Sequence, residues 1–273
     1  NDLRKVILKK KITGVNADRR SVKSDYDVFL KILKRNVIGD IERMGKLLVF
    51  ELGNNKFLLI HLKMTGQLIC VGGKRVVAGG HGEPPLGEKL PDKYTRAIFK
   101  FSDGSVLFFN DIRRFGYLKI VEADELAKIK SKYGVEPLSR KFTLDKFKRI
   151  ISGRKGNIKQ MLFKQELIAG IGNIYADEIL FEAKAKPQQK VDSLKKFEVK
   201  AIFKAITKVL KRAVKYRGTT FSDYRDGHGR GGNFRSRLKV YGREGEKCGR
   251  CGGIIKKIKI GGRGTYYCDS CQK

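Results

Sequence analysis

Two cysteine pairs, Cys248-Gly-Arg-Cys251 and Cys268-Asp-Ser-Cys271, lie sixteen residues apart near the end of this 273-residue chain. Each pair has the spacing of a zinc knuckle, in which two thiolates hold one side of a tetrahedral metal ion. The alternative interpretations are four unrelated thiols or two disulfides. Because the spacing matches the metal-site pattern, we predict that Cys248, Cys251, Cys268 and Cys271 bind one Zn²⁺ ion.

The segment between the pairs has the pattern of a β-hairpin. Isoleucines recur over 254–260, a glycine-rich turn occupies 261–264, and Thr265-Tyr266-Tyr267 follows. Apolar, β-branched and aromatic runs on either side of such a turn are typical of two paired strands. A finger this short cannot bury a core, so the metal would supply its folding energy. The predicted hairpin carries Arg263 at its tip.

The charge of the whole chain favours a polyanionic partner. There are 61 Lys and Arg residues against 28 Asp and Glu, a formal net charge of +33. Nucleic acid is the usual partner of such an excess, and its binding would weaken steeply with salt as counterions are released. The alternative is a set of lysine-rich helices that simply face solvent.

Composition also bounds the class and location of the protein. Hydrophobic residues make up 41% of the chain, which is enough for globular domains with real cores. The apolar runs are far shorter than a membrane span, and the first residues mix charge with Leu, Val and Ile, unlike a secretory signal. We therefore expect no membrane association. Four metal-type cysteines among five indicate a reducing compartment, and we expect the cytoplasm.

The first 125 residues carry mainly strand signals. Short apolar runs are separated by turn residues such as Gly53-Asn54-Asn55, a spacing typical of a sandwich or barrel. One helix is expected over Tyr26–Leu33, and Cys70 is expected in a buried strand. The Gly- and Pro-rich stretch 72–90 predicts a surface loop. The strand-like runs are 12–15, 49–52, 57–60, 97–101, 105–109 and 117–121.

Beyond Glu122 the apolar period becomes helical. We expect helices capped by Thr143 and Asn157, a third helix over 173–183, and a long amphipathic helix over 194–214. The predicted domain order is a β domain over 1–125, a helical domain over 135–217, a glycine-rich loop over 218–237 and the zinc finger over 238–273.

Four further stretches carry candidate chemistry. His61-Leu-Lys-Met64-Thr-Gly66 holds a methionine that is either a core residue or an exposed apolar wedge for a base stack. Asp111-Ile-Arg113-Arg114-Phe115-Gly116 is either a surface salt-bridge site or a cation beside a stacking plane. Gly170-Ile-Gly172-Asn173 is either a plain tight turn or a helix start whose N–H groups bind phosphate. The fourth stretch, 218–237, is rich in Gly and Arg and is either a capping loop or disordered.

In this order, and ending in the zinc hairpin, these motifs resemble the formamidopyrimidine-DNA glycosylase and endonuclease VIII family along nearly the whole chain. The motifs HLKMTG, DIRRFG, GVEPLS, GIGNIYADEILF, RGTT and VYGR, with the cysteine tail, carry the resemblance, and the tail is typical of the formamidopyrimidine branch. The resemblance implies an α+β multidomain fold, with an N-terminal β-sandwich, a helix–two-turn–helix domain and a C-terminal zinc-finger β-hairpin. It also implies a monomer that binds double-stranded damaged or abasic DNA.

The resemblance further implies roles for individual residues. Met64, Arg113 and Phe115 match the residues that fill the void left by an everted nucleotide, which offsets the cost of unstacking it. Asn173 and Arg263 match phosphate contacts. The remaining matches are Lys46, a strand-borne lysine near the lesion phosphate; Lys155 and Tyr241, further backbone contacts; and 218–237, the loop that covers an everted 8-oxoguanine.

The N-terminal residues differ from the family pattern. Family members begin with Pro-Glu, where the proline amine forms a Schiff base with the sugar and the glutamate transfers a proton, whereas this sequence begins Asn1-Asp2. We expect an abasic-site lyase with base excision weak or lost, and candidate amines at Lys46 and Asn1. Three alternatives stay open: a lesion-binding protein without catalysis, a full glycosylase whose first residues are missing from this sequence, and an RNA-binding zinc protein.

Overall fold

Two compact units make up the protein. The computed structural model describes residues 2–73, 75–80, 90–216, 218 and 234–273. The first unit contains the described residues up to Ser131, and the second contains those from Lys132 to Lys273. No helix in these described ranges is both long and apolar enough to cross a membrane.

The first unit is built mainly from strands. They are β1 (Ile12–Ala17), β2 (Ile41–Met44), β3 (Leu47–Glu51), β4 (Lys56–His61), β5 (Gly66–Gly72), β6 (Arg75–Gly80), β7 (Thr95–Phe101), β8 (Val106–Asp111) and β9 (Tyr117–Glu122). One sheet has the order β1-β7-β8-β5-β6 and the other the order β2-β3-β4-β9, with antiparallel neighbours throughout. The described part of this unit also holds three α-helices: α1 (Asp2–Ile7), α2 (Tyr26–Leu33) and α3 (Ala123–Ser131).

Both sheets contribute to one apolar core. Phe50, Leu58 and Leu118 come from the four-stranded sheet, and Phe99 and Phe109 from the five-stranded sheet. Each is at most 1% exposed. Two sheets that bury one face each against the other are a β-sandwich, so the predicted sandwich is confirmed.

The stretch 72–90 is not a loop throughout, and that prediction is wrong for its first part. Arg75–Gly80 forms β6, which pairs with β5 at the edge of the five-stranded sheet. A Cβ atom at Gly80 would lie 2.3 Å from the carbonyl oxygen of Gly66. The glycine that suggested a loop therefore permits close approach of two strands. Residues 74 and 81–89 lie outside the described part of the chain.

The second unit begins with helices. They are α4 (Leu144–Ile151), α5 (Ile158–Phe163), α6 (Asn173–Ala183) and α7 (Lys196–Lys215). The side chains of Thr143 and Asn157 cap α4 and α5 by accepting the N–H of the third helical residue, as predicted. One apolar core joins the buried residues of all four helices.

The zinc finger contains a two-stranded antiparallel hairpin. Strands β10 (Ile255–Ile260) and β11 (Arg263–Cys268) pair along their full length. The turn residues Gly261 and Gly262 have φ values of 54° and 75°, the left-handed backbone that a tight hairpin turn requires. The predicted zinc-finger hairpin is confirmed. Of the predicted loop 218–237, residues 219–233 lie outside the described residues.

Candidate nucleic-acid interface

The four thiols of the zinc finger converge on one point. Their Sγ atoms all lie within 4.8 Å of one another, with Cys248 and Cys271 at 3.9 Å and Cys251 and Cys268 at 3.5 Å. All five cysteines of the chain are described, and none forms a disulfide. Four thiolates at zinc–sulfur bonds of about 2.3 Å stand roughly 3.8 Å apart in a tetrahedron. The cluster therefore fits Zn²⁺, as predicted.

A buried ion pair joins the finger to the helices. Lys159 of α5 and Asp177 of α6 are fully buried, with Nζ and Oδ1 2.7 Å apart. Lys159 also donates to the Thr265 hydroxyl at 2.7 Å and to the Gly264 carbonyl at 3.1 Å. The backbone N–H of Tyr266 donates to Asp177 Oδ2 at 2.9 Å. Strand β11 is thus bonded to both helices through charged groups that are removed from water.

Burial controls the protonation of this pair. It raises the pKa of Asp177 to about 6 and lowers the pKa of Lys159, although each charge stabilises the other. Desolvation disfavours both charged forms, and here it outweighs their mutual attraction. The positive charge of Arg263 lowers the pKa of Lys159 further.

The adjacent acid, Glu178, anchors a second part of the finger. Its carboxylate accepts the backbone N–H groups of Lys239, Val240 and Tyr241 at 2.9 to 3.0 Å. Burial raises the pKa of Glu178, and these donors oppose the rise. Two neighbouring acids of α6 therefore hold both β11 and the segment 239–241.

Two of the predicted DNA contacts, Asn173 and Tyr241, lie beside the segments that Asp177 and Glu178 hold. Nδ2 of Asn173, the first residue of α6, donates to the carbonyl of Gly264 at 3.0 Å. The rings of Tyr241 and Tyr266 pack edge to face with centroids 4.9 Å apart. Burial raises the pKa of Tyr241, while a hydrogen bond with the Asn173 side chain opposes that rise.

Arg263 lies exposed at the tip of the hairpin. Its guanidinium stands 5.9 Å from the ring centre of Phe163, and its charge acts on the pKa of Tyr241. We call Asn173, Tyr241 and Arg263 the hairpin-tip cluster. Gly172, the N-cap residue of α6, provides no side-chain cap, so the first N–H groups of that helix suit an anion. Lys155 is exposed in the loop before α5 and is not part of these contacts.

Three predicted void-filling residues form an exposed group in the first unit. Met64 and Phe115 are 49% and 52% exposed, large fractions for apolar side chains. The guanidinium of Arg113 stands 4.7 Å from the Phe115 ring centre, and its Nη1 lies 3.4 Å from Met64 Sδ. We call Met64, Arg113 and Phe115 the wedge. A guanidinium beside two exposed apolar side chains suits insertion into a base stack.

A buried aspartate holds the wedge in shape. Asp111, at the end of β8, is fully buried. Its carboxylate accepts the Thr65 hydroxyl, the Arg113 N–H at 3.2 Å and the Gly116 N–H at 2.7 Å. Its carbonyl accepts Nε of the buried Arg96 at 2.8 Å. One residue therefore ties together the two turns that carry the wedge.

Of the two candidate nucleophiles, Lys46 lies within the described residues and Asn1 lies outside them. Lys46 is exposed in the turn between β2 and β3, directly after Gly45, and so it is on a turn rather than on a strand as expected. Burial, then the charges of Lys63 and Lys46, lower the pKa of His61 to about 4. Neutral His61 accepts the Lys63 N–H through Nδ1 at 3.0 Å.

Four of these residues are not predicted from the sequence as part of the site. They are Asp111, Lys159, Asp177 and Glu178, all at most 4% exposed. Each is a charged residue within an apolar stretch of its strand or helix or directly beside one. Because charged residues are almost never buried without a partner, their burial depends on partners that are distant in the sequence.

Comparison with known proteins matches three family models to the chain. Residues 1–118 match the formamidopyrimidine-DNA glycosylase N-terminal domain, and residues 133–225 match the formamidopyrimidine-DNA glycosylase H2TH domain. Residues 245–273 match the zinc finger found in FPG and IleRS.

Curated relatives and solved structures agree with these models. The formamidopyrimidine-DNA glycosylase of Desulforamulus reducens is 40% identical over 250 residues, which cover 90% of this chain and 85% of that protein. That of Mycoplasma mobile is 36% identical over 273 residues, covering 99% and 94%. The structure of Lactococcus lactis Fpg with abasic-site DNA matches with a TM-score of 0.87 at 32% identity, covering 100% of this chain and 96% of that one. A point mutant of the same protein with Fapy-dG DNA also matches with a TM-score of 0.87, at the same identity and coverage.

Proposed function

Because this chain belongs to the formamidopyrimidine-DNA glycosylase family of DNA repair enzymes, we propose that it binds duplex DNA at a damaged or abasic site and cleaves the strand there as an abasic-site lyase. The observation that carries the proposal is the wedge, two exposed apolar side chains beside a guanidinium. Exposed groups of this kind need a partner that covers them, and a gap in a base stack offers flat apolar faces of matching size.

The wedge supports recognition of a missing or everted base. Turning a nucleotide out of the stack costs on the order of a few kcal/mol, least at damaged or abasic positions. Insertion of Met64 and Phe115 would restore apolar contact in the gap, and Arg113 would meet the neighbouring base faces and phosphates. Because Asp111 fixes both turns, the wedge is ordered before it binds, which lowers the entropy lost on insertion.

The hairpin-tip cluster supports a grip on the phosphate backbone. Arg263 offers a fork of N–H donors, Tyr241 a hydroxyl that the Asn173 side chain orients by a hydrogen bond, and Asn173 its backbone N–H at the start of α6. The uncapped start of α6 adds backbone N–H groups and the positive end of a helix dipole. Zinc would act here by holding the hairpin, and through it Arg263, against α6. Lys155 is proposed as a further phosphate contact on the strength of the family match alone.

The strand cleavage is proposed to proceed through a Schiff base. A neutral amine attacks C1′ of the ring-opened abasic sugar, and loss of water gives an iminium ion. A base then removes a proton from C2′, the C3′–O bond breaks, and the 3′ phosphate leaves. Water hydrolyses the remaining imine and returns the amine. Lys46 is the proposed amine because it is exposed on a turn and matches the lysine near the lesion phosphate; the α-amine at the N-terminus of the protein is the second candidate.

Borohydride trapping on a labelled abasic duplex tests this proposal. Borohydride reduces the iminium, so the wild-type protein should give a covalent adduct and, without borohydride, a nicked strand. We expect Lys46→Ala to lose at least nine-tenths of the adduct. Lys31→Ala, which removes an exposed lysine of α2, is the matched control and should react like the wild type.

The outcomes separate the alternatives. An adduct that survives Lys46→Ala but is lost when the α-amine is blocked assigns the nucleophile to the N-terminal amine. Tight binding of abasic duplex without adduct or nicking contradicts the lyase and leaves a lesion-binding protein. Equal affinity for abasic duplex and single strands contradicts the whole proposal and favours an RNA-binding protein.

Excision of an intact damaged base is a second candidate activity. It is favoured by the relatives, which are named glycosylases, and by the Lactococcus lactis complex with Fapy-dG DNA. Release of free Fapy-guanine or 8-oxoguanine from a duplex, measured by chromatography, tests it. A monomer as the acting unit is proposed from the family resemblance, and light scattering of the DNA complex tests it.

A further inference from the structure

Helix α7 carries a lysine face that the proposed lesion site does not use. At about 100° per residue its lysines fall within one arc of about 120°, and they extend over about 28 Å of helix. The buried residues of α7 occupy the opposite arc. All six lysines are exposed: Lys196, Lys200, Lys204, Lys208, Lys211 and Lys215.

This lysine face is turned away from the core that α7 shares with α6. Ile202, Ile206 and Val209, on the opposite side of α7, share a core with Ala176 and Ile179 of α6. The hairpin-tip cluster is built on α6, since Asn173 is its first residue. The lysine face and the cluster are therefore separate surfaces of the same unit.

The lysine face lacks acidic residues. The one acid in α7 is Glu198, whose carboxylate accepts the Lys195 N–H at 2.7 Å and the Gln189 amide at 2.8 Å. At the edge of the arc, Lys208 pairs with Glu182 of α6 at 2.5 Å. Lysines three and four residues apart repel one another and weaken a helix, whereas a helix that only faces solvent gains from alternating Glu with Lys. The lysine pattern therefore favours a bound polyanion.

We propose that the lysine face binds the phosphate backbone of duplex DNA, separately from the lesion site and without reading sequence. Its length of about 28 Å corresponds to roughly eight base pairs of duplex at about 3.4 Å each. Lysine ammonium groups are point charges that contact phosphates rather than base edges. The arc holds one aromatic residue, Phe197, so it offers no series of rings on which the bases of a single strand would stack.

The salt dependence of binding to undamaged duplex tests this inference. The test variant replaces four lysines of the face with Gln (Lys200, Lys204, Lys211 and Lys215). Each phosphate contact adds about 0.9 to the slope of log affinity against log salt, so the variant should lose about 3 to 4 from the slope and bind at least tenfold more weakly. The control replaces four exposed lysines elsewhere with Gln (Lys31, Lys34, Lys128 and Lys141) and should change the slope by less than about 1.

A second experiment tests whether the two surfaces act separately. Wild-type protein saturated with a short abasic duplex should still bind a second, labelled undamaged duplex at low salt, and the test variant should not. Circular dichroism checks that both variants are folded. Equal slopes for test and control variants, or no second duplex on the wild type, would overturn the inference. The slope experiment needs neither a lesion nor activity. If the slope falls in the test variant but the wild type shows no preference for abasic duplex, the proposed function is contradicted and the inference about the lysine face stands.

Discussion

The wedge and the hairpin-tip cluster follow the same plan in two different units. In each, an exposed arginine stands near a phenylalanine ring, Arg113 at 4.7 Å and Arg263 at 5.9 Å. Beneath each lies a fully buried aspartate that accepts backbone N–H groups, Asp111 in the first unit and Asp177 in the second.

The two aspartates differ in their partners. The carboxylate of Asp111 accepts neutral N–H and O–H groups, whereas Asp177 faces the buried ammonium of Lys159 in a unit that also holds the zinc site. The conformation of the wedge, which neutral hydrogen bonds hold, should depend little on zinc. The conformation of the hairpin-tip cluster, which a buried ion pair and the thiolate cluster hold, should depend both on zinc and on the charges of the pair.

Loss of a zinc ligand should have the largest effect and should act on the hairpin-tip cluster alone. Structural zinc in small fingers supplies about 10–16 kcal/mol of apparent folding free energy, so Cys268→Ser should release Arg263 from α6. We expect binding of abasic duplex, measured by fluorescence anisotropy, to weaken at least 100-fold. Cys70→Ser, in β5 of the other unit, is the control and should keep its zinc content and affinity. Wild-type affinity in Cys268→Ser would show that the hairpin does not hold DNA.

Removal of Lys159 should have the next largest effect. Lys159→Met leaves Asp177 buried without its cation, and breaking a buried pair in this way costs about 3–5 kcal/mol. Urea unfolding with zinc present measures the free energy of unfolding. Because an apolar pair often replaces a buried ion pair without loss, the double variant Lys159→Met, Asp177→Leu should recover at least half of the difference. A double variant no more stable than the single one would contradict this account of the pair.

Asp111→Ala should weaken lesion recognition and leave the zinc finger intact. It removes the acceptor of the Thr65 hydroxyl and of the Gly116 N–H and leaves the Arg113 N–H only its 3.1 Å bond to Thr65 Oγ1, so the wedge loses its fixed shape. We expect the preference for abasic over undamaged duplex to fall about tenfold, which corresponds to about 1.4 kcal/mol. The zinc content should not change. Asp103→Ala, in the turn between β7 and β8, is the matched control; an equal loss of preference there would refute a specific role for Asp111.

Acid should act on the two units with opposite sign, so the two contributions oppose each other and the net effect on stability is the smallest of those considered. The pKa of His61 is about 4 in the folded protein against an ordinary 6.5, so between these values the unfolded chain holds more protons and acidification favours unfolding. The pKa of Asp177 is about 6 against 3.8, so there the folded protein holds more protons and acidification favours folding.

Urea unfolding from pH 4.5 to 7 measures both contributions. Relative to wild type, His61→Gln should lose less stability as pH falls, and Asp177→Asn should lose more. Changes of the same sign in both variants would contradict the assigned pKa directions.

Features set by neighbouring residues could be predicted from the sequence. The caps at Thr143 and Asn157, the glycine turn of the hairpin and the cysteine spacing each depend on a few adjacent positions. The helix bounds of α2 and α6 follow from apolar period and turn residues in the same way. The wedge residues are predicted through the family resemblance, and in the structure they contact one another.

Features that depend on distant partners could not be predicted. Lys159 meets Thr265 across 106 positions, and Asp111 meets Thr65 across 46, so neither sequence neighbourhood indicates the bond. Strand β6 was missed for a related reason: whether Gly80 breaks a strand or lets it pack closely depends on the Gly66 backbone that it meets.

Equilibrium binding of two duplexes of the same sequence, one with a central abasic site and one undamaged, tests the central claim most directly. The measurement is made at about 150 mM salt, where long-range attraction to phosphates is screened beyond about 8 Å. Filling the void and gripping the phosphates at a lesion predict at least 100-fold tighter binding of the abasic duplex. Equal affinity for the two duplexes would contradict that claim.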